Sequence, residues 1–235
     1  MTICNLLIAA DGQTAVLSTC TEHIAEDGRV LERSKFWTIP HRGVVLGCRG
    51  SYSFHHVAAG LLRDISEPDL ESFAYAARDA LQSQEAMGVK RDCYRSMPAG
   101  LPDGTEVILV GYCEDRERCL AFALTSPHRN AGFEIEPISR DWRAPWPKDG
   151  APVLSSYLPP DFDELDLADR VCLLAQVQVR AARWQQPWAP YGGKLLIAHV
   201  DRDGIRVERG CDLLPRARAP EVAAYCTGTI RAPRS

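Results

Sequence analysis

The dipeptide Asp11-Gly12 stands between two apolar runs, residues 3–10 and 14–20, and constrains the chain more than any other feature. Asp-Gly readily takes up the positive φ that a tight reversal between twisted strands needs, so this opening reads as a β-hairpin. Thr2 then begins a strand. Its residue type carries chemistry as well. Aminopeptidases remove an initiator Met that precedes a small residue, and a threonine freed in this way holds a hydroxyl and a primary amine together, nucleophile and base on one residue.

Further strand and helix signals follow in blocks. Residues 23–33 are polar and read as a loop turned by Asp27-Gly28. Residues 35–39 form a third strand, residues 40–43 turn it, and residues 44–48 return as a fourth. Gly47 and Gly50 lead into a helix over 53–65, with Val57, Ala58, Leu61, Leu62 and Ile65 on one face. A second helix runs to about residue 84 on a stripe of Leu70, Phe73, Ala74, Ala77 and Leu81. Residues 87–104 read as a polar separator. Strands over 105–113 and 118–125 flank the loop of residues 114–117, and residues 133–138 add another. Residues 139–160, rich in Pro and Trp, read as irregular. A long helix over 162–184 carries the stripe Leu165, Ala168, Cys172, Ala175, Val179 and Ala182. Residues 194–201 and 205–209 close the chain as a hairpin turned by Asp203-Gly204. Residues 1–214 are expected to form one domain, with 215–235 a peripheral tail.

Hairpin-linked strands imply antiparallel sheets, and helices grouped between strand blocks imply layers rather than βαβ alternation. The fold class is therefore α+β, a four-layer αββα sandwich of two antiparallel sheets between helix layers. The net charge of −4 gives no electrostatic reason to expect nucleic acid or an anionic membrane as partner. No apolar run approaches the ~18 residues of a bilayer span, and the start lacks the layout of a signal peptide. Nine scattered cysteines without a repeated C-x-x-C spacing argue against a disulfide framework or a zinc site and place the chain in a reducing cytoplasm. His55-His56 at a helix start reads as a solvated or capping pair. No metal and no cofactor are expected.

Met1-Thr2-x-Cys4, the tight hairpin, Ser34-Lys35 at the third strand, Gly47 and Gly50 at matching spacing, and Tyr191-Gly192-Gly193 before a closing hairpin resemble a proteasome-type β subunit. Within that superfamily of N-terminal nucleophile (Ntn) hydrolases the start is most similar to the bacterial Anbu group. The resemblance implies that Thr2 attacks an amide carbonyl, that its own amine takes the proton, and that Lys35 lowers the amine's pKa by like-charge proximity. It assigns the backbone amides of Gly47, Arg49 and Gly50 to the oxyanion and substrate. It implies a peptide or amide substrate and a homo-oligomer in rings or stacked arcs.

The family places a carboxylate at the end of strand two, where it pairs with the lysine. This chain has Ser18-Thr19-Cys20 there and no acid before Glu22, so Thr19 is left as a hydrogen-bond acceptor that cannot neutralise charge. Two functions follow. Thr2 and Lys35 favour a proteasome-like threonine hydrolase, and the missing acid favours a catalytically silent assembly or scaffold subunit of the same fold. A third reading takes Cys4 as the nucleophile after removal of three residues.

Overall fold

In the computed structural model of the chain, residues 2–24, 29–95, 104–144, 158–185 and 192–213 are described. Strand β1 (Cys4–Ile8) and strand β2 (Ala15–Cys20) form the opening hairpin, with Gly12 at φ 74° in the turn. Every residue of both strands is buried, because alternate side chains go to two different cores. Cys4, Leu6 and Leu17 point into the space between two sheets, whereas Leu7, Val16 and Cys20 face a helix.

Residues 23–33, expected to be a loop, instead contain a short antiparallel pair, β3 (Glu22–Ile24) with β4 (Val30–Glu32). The Asp27-Gly28 turn lies outside the described residues. β5 (Phe36–Ile39) leads through a 3₁₀ turn at Pro40–Arg42 into β6 (Val44–Arg49). Helix α1 (Tyr52–Arg63) starts at Ser51, whose hydroxyl accepts from Phe54 N–H, and α2 (Leu70–Leu81) starts at Asp69, whose carboxylate accepts from Ser72 N–H at 2.9 Å. Residues 87–104 are not simply a separator, since α3 (Gln84–Arg95) occupies 84–95 and packs on α1 and α2. β7 (Thr105–Cys113), β8 (Arg118–Ser126) and β9 (Glu134–Pro137) continue the strands. The region read as irregular contributes β10 (Asp141–Ala144), which pairs with β1. Helix α4 (Leu167–Gln185) and the hairpin β11 (Lys194–Asp201) with β12 (Gly204–Asp212) complete the order.

Two five-stranded sheets result, both antiparallel throughout, with strand orders β10-β1-β2-β11-β12 and β5-β6-β7-β8-β9. Three cores separate four layers. One lies between the sheets, around Leu6, Leu17, Val45, Ile108 and Ala198. A second joins the β5–β9 sheet to α1 and α2 through Phe54, Leu62, Phe73 and Leu81. The third joins the other sheet to α4 through Ile3, Val171, Ala175 and Val179. This is the expected αββα arrangement. Among the described residues no helix is long and apolar enough to cross a membrane.

Two polar devices sit inside this frame. Asn5 on β1 and Gln178 on α4 exchange side-chain amide hydrogen bonds in both directions, at 2.7 and 2.9 Å, within the third core. Lys90 of α3 is fully buried. Its Nζ donates to Ser126 Oγ, to the His128 carbonyl at 3.1 Å and to the Ala131 carbonyl at 2.9 Å.

Candidate active site

Thr2 precedes the first strand rather than opening it, since β1 begins at Cys4. The hairpin register still fixes its surroundings. Cys4 lies opposite Thr19, and the pairing extends one residue outward, where Cys20 N–H donates to the Ile3 carbonyl at 3.2 Å. Ile3 N–H in turn donates to Cys20 Sγ at 3.3 Å. Thr2 is thus set at the end of the β1–β2 pair, with 3 % of its surface exposed.

Lys35 precedes β5 and is equally buried, at 3 %. Its Nζ crosses from the second sheet to the end of β2, donating to the Glu22 main-chain carbonyl at 2.6 Å and contacting Cys20 Sγ at 3.5 Å. Cys20 Sγ therefore touches both the amide next to Thr2 and the lysine. This one sulfur ties together Ile3 and Lys35, which are 32 positions apart in sequence.

The charge on Lys35 reaches two histidines. His55, on the buried face of α1, is pushed down to about 3, chiefly by burial and further by Lys35 and His56, against a hydrogen bond to the Arg49 backbone that acts the other way. Its Nε2 has no hydrogen-bond partner among the described residues. His23 is also lowered, by burial first and then by Lys35 and Arg33. Both rings are neutral near pH 7 and border a cluster of Trp37, Tyr52 and His56. His55 is a core residue and not the solvated or capping residue expected from sequence.

Thr19 faces the space between the sheets, and its Oγ1 has no hydrogen-bond partner among the described residues. The Lys35–Thr19 hydrogen bond considered from sequence is not formed, because Lys35 Nζ is directed to the Glu22 carbonyl, beyond the end of β2. Cys4 is fully buried, and burial pushes its thiol well above the ordinary range, so it is poorly suited to act as a nucleophile.

Gly47 lies within β6, paired with Phe36 on one side and Ile108 on the other. A Cβ there would stand 2.9 Å from Leu17 Cδ2 and 3.2 Å from Cys4 Sγ, so this glycine lets the two sheets close over the hairpin. Gly50 ends the strand at φ 125°, and a Cβ would fall 2.3 Å from Tyr94 Oη. That hydroxyl accepts from Ser51 N–H and donates to the Gly104 carbonyl, both at 2.8 Å, which holds the β6–α1 turn in place. Arg49, between the two glycines, is partly exposed and forms a 2.5 Å ion pair with Glu106. The sequence reading missed Cys20, Glu22 and Tyr94. Glu22 contributes its main-chain carbonyl, which nothing in its residue type announces.

Comparison with solved structures places this architecture. The Gly-1 mutant of Anbu from Hyphomicrobium sp. strain MC1 superimposes with a TM-score of 0.63 at 15 % identity, covering 97 % of this chain and 95 % of that one. The fold is the Anbu fold. Anbu from Yersinia bercovieri, described as an ancestral beta-subunit, matches with a TM-score of 0.60 at 11 % identity, over 97 % of this chain and 93 % of its own. No family model and no curated protein sequence matches the chain. The Anbu fold thus extends over nearly the whole chain at low sequence identity, and the αββα layers are what is shared.

Proposed function

We propose that the protein is a proteasome-like N-terminal threonine hydrolase that cleaves peptide or amide bonds, with Thr2 as nucleophile once the bond to Met1 is cut. The observation that carries this reading is the Cys20 junction, where one sulfur contacts Ile3 N–H at 3.3 Å and Lys35 Nζ at 3.5 Å. In this reading the Thr2 hydroxyl attacks the carbonyl and its amine accepts the proton, while Lys35, anchored on the Glu22 carbonyl, supplies the positive charge beside that amine. Arg49 and Gly50, partly exposed at the end of β6, are the substrate-facing part of the Gly47–Gly50 segment. Gly47 serves chiefly to let the sheets approach.

A second reading is favoured by a specific feature. Among the described residues Lys35 Nζ is held by a carbonyl and a thiol, with no carboxylate as partner. A subunit that had lost its chemistry and kept the fold as an assembly element would look like this. Likeness to an ancestral beta-subunit supports a subunit that self-associates in either case. The alanines suited to close helix contact are partly used up within the chain, since Ala58, Ala74 and Ala77 are buried in its own core. Val57 on α1 and Tyr75 on α2 remain as exposed apolar groups.

Labelling with a peptide epoxyketone, read by mass spectrometry, separates the two readings. The fused-ring adduct requires a free amine and a reactive hydroxyl on the same residue, so the hydrolase gives an adduct on Thr2 that Thr2→Ala abolishes. Protein shown by intact mass to have lost Met1 and still unlabelled is the scaffold subunit. An adduct on another residue overturns the assignment of Thr2.

A further inference from the structure

On the far side of α4 from the Asn5–Gln178 pair, the helix and the β11–β12 hairpin leave an open groove of about 540 Å³. Two cysteines that the site above does not use meet in its wall. Cys172 comes from α4 and Cys211 from β12, and both are partly exposed. Cys211 N–H donates to Cys172 Sγ at 3.2 Å, and the Cys211 thiol reaches the Cys172 carbonyl at 3.7 Å. Gly210 makes this approach possible, since a Cβ there would stand 3.2 Å from Cys172 Sγ. The remaining polar lining is Asp169, Gln176 and Glu208.

We propose that Cys172 and Cys211 form a thiol–disulfide exchange site, in which Cys172 attacks a low-molecular-weight disulfide entering the groove and Cys211 resolves the adduct. The chemistry balances as two exchanges. The Cys172 thiolate forms a bond to one sulfur of RSSR as the S–S bond breaks, and the first RS⁻ leaves with a proton from solvent. Cys211, losing its proton as it attacks, then displaces the second RS⁻ and closes the Cys172–Cys211 disulfide. Two protein thiols are oxidised and one small disulfide is reduced to two thiols.

The two cysteines differ in the direction each role needs. Hydrogen-bonding contact with Cys211, through its side chain and then its backbone N–H, holds the Cys172 thiol below the ordinary range, against burial and the carboxylates of Asp169 and Asp166. The same contact raises Cys211, and burial adds to this, so Cys211 stays protonated until the adduct has formed. The other buried thiols with resolved shifts, Cys4, Cys48 and Cys119, are all raised and closed off. The bridge would also join α4 to β12 and so pin the helix that packs on Ile3 and Cys20.

The test uses the full-length, reduced protein incubated with oxidised glutathione, followed by alkylation and peptide mapping. The expected product is a Cys172–Cys211 peptide pair that has lost two hydrogens and is recovered by dithiothreitol, with Tm raised by about 5 °C. Cys211→Ser should halt the reaction at a glutathione adduct on Cys172, and Cys172→Ser should leave Cys211 unmodified. Because either variant could be poorly folded, the wild-type protein carries a second measurement. Cys172 must react at least about tenfold faster in the native chain than in urea, where only the ordinary thiol chemistry remains. Native protein in which Cys93 or Cys226 reacts ahead of Cys172, or in which Cys172 is no faster than in urea, overturns the proposal.

Discussion

Two lysines are buried among the described residues, and they are held very differently. Lys90 Nζ is surrounded by acceptors, including Ser126 Oγ and the carbonyls of His128 and Ala131, and also lies over the Phe133 ring at 4.8 Å. Lys35 Nζ has one good acceptor, the Glu22 carbonyl at 2.6 Å, and one poor one, Cys20 Sγ at 3.5 Å. A buried cation is costly unless its hydrogen bonds are satisfied. Lys90 meets that requirement from the segment joining β8 to β9, and it thereby holds that segment against α3. Lys35 meets it only in part, and the Cys20 sulfur it touches also accepts from the amide of Ile3. In the proposed hydrolase reading, the contrast separates a clamp from a charge kept in reserve for chemistry.

Lys35→Met is expected to give the largest single effect. The rate of epoxyketone labelling at Thr2 should fall roughly a thousandfold, the scale of losing a positioned proton-transfer partner, while Tm changes little. Lys90→Met should do the reverse, leaving the labelling rate nearly intact and costing about 3 kcal/mol in urea denaturation, because several buried acceptors lose their donor. If both variants lose stability and labelling together, the distinction between clamp and reserve charge fails.

The surroundings of Lys35 should also be the pH-sensitive part of the fold. His55 titrates near 6.5 when unfolded and at about 3 when folded. Above pH 6.5 both states are neutral and nothing is lost. As pH falls below that, the unfolded chain gains a proton that the folded chain refuses, so stability declines by about 1.4 kcal/mol per pH unit until the folded pKa is reached. His55→Gln should flatten this part of the stability–pH curve, measured by urea melts between about pH 6 and pH 4. An unchanged slope would mean that His55 is not buried in its neutral form.

Thr19→Val should have the smallest effect. With no partner on Oγ1, replacing the hydroxyl by a methyl should change stability by less than about 1 kcal/mol and labelling by less than about threefold. A larger loss of labelling would show that Thr19 takes hold of Lys35 during turnover.

The parts of the fold legible in sequence were those where a residue's type announces its geometry. Asp11-Gly12 and Asp203-Gly204 marked hairpins that the structure contains, and the stripe of α2 was readable because its buried positions are all apolar. On α1 Ala58 and Leu62 are buried as expected but Val57 is exposed and His55 is buried, and on α4 Ala175 and Val179 are buried beside the polar Gln178. α3 was missed because its buried line is Ala86, Lys90 and Tyr94. A charge in the middle of that line makes an inward face look solvated until Ser126 and the carbonyls appear around it. β3, β4 and β10 were missed for another reason. They are three or four residues long and exist as strands through pairing with each other or with β1, so little in their own composition marks them. In the candidate site, Thr2 and Lys35 were singled out by type and spacing; both are buried, and their proposed roles rest with the labelling experiment. The Glu22 carbonyl was not, since every residue carries one, and Cys20 was not, since a cysteine in an apolar strand looks like packing.

The reciprocal amide pair between Asn5 and Gln178 has a consequence for how this protein can drift. The α4 seam is otherwise mostly apolar, and an apolar seam tolerates a helix rolled about its axis. A roll of one residue would strand two amides in a greasy seam at about 1–3 kcal/mol each, so the pair sets the azimuth of the helix. It also makes the two positions inherit together. Changing either alone takes its reciprocal amide bonds from the other, whereas exchanging both for aliphatic side chains removes the penalty and the keying at once. A double-mutant cycle on Asn5→Leu and Gln178→Leu reads that dependence directly, and additive losses would show that the two sites are free to wander separately.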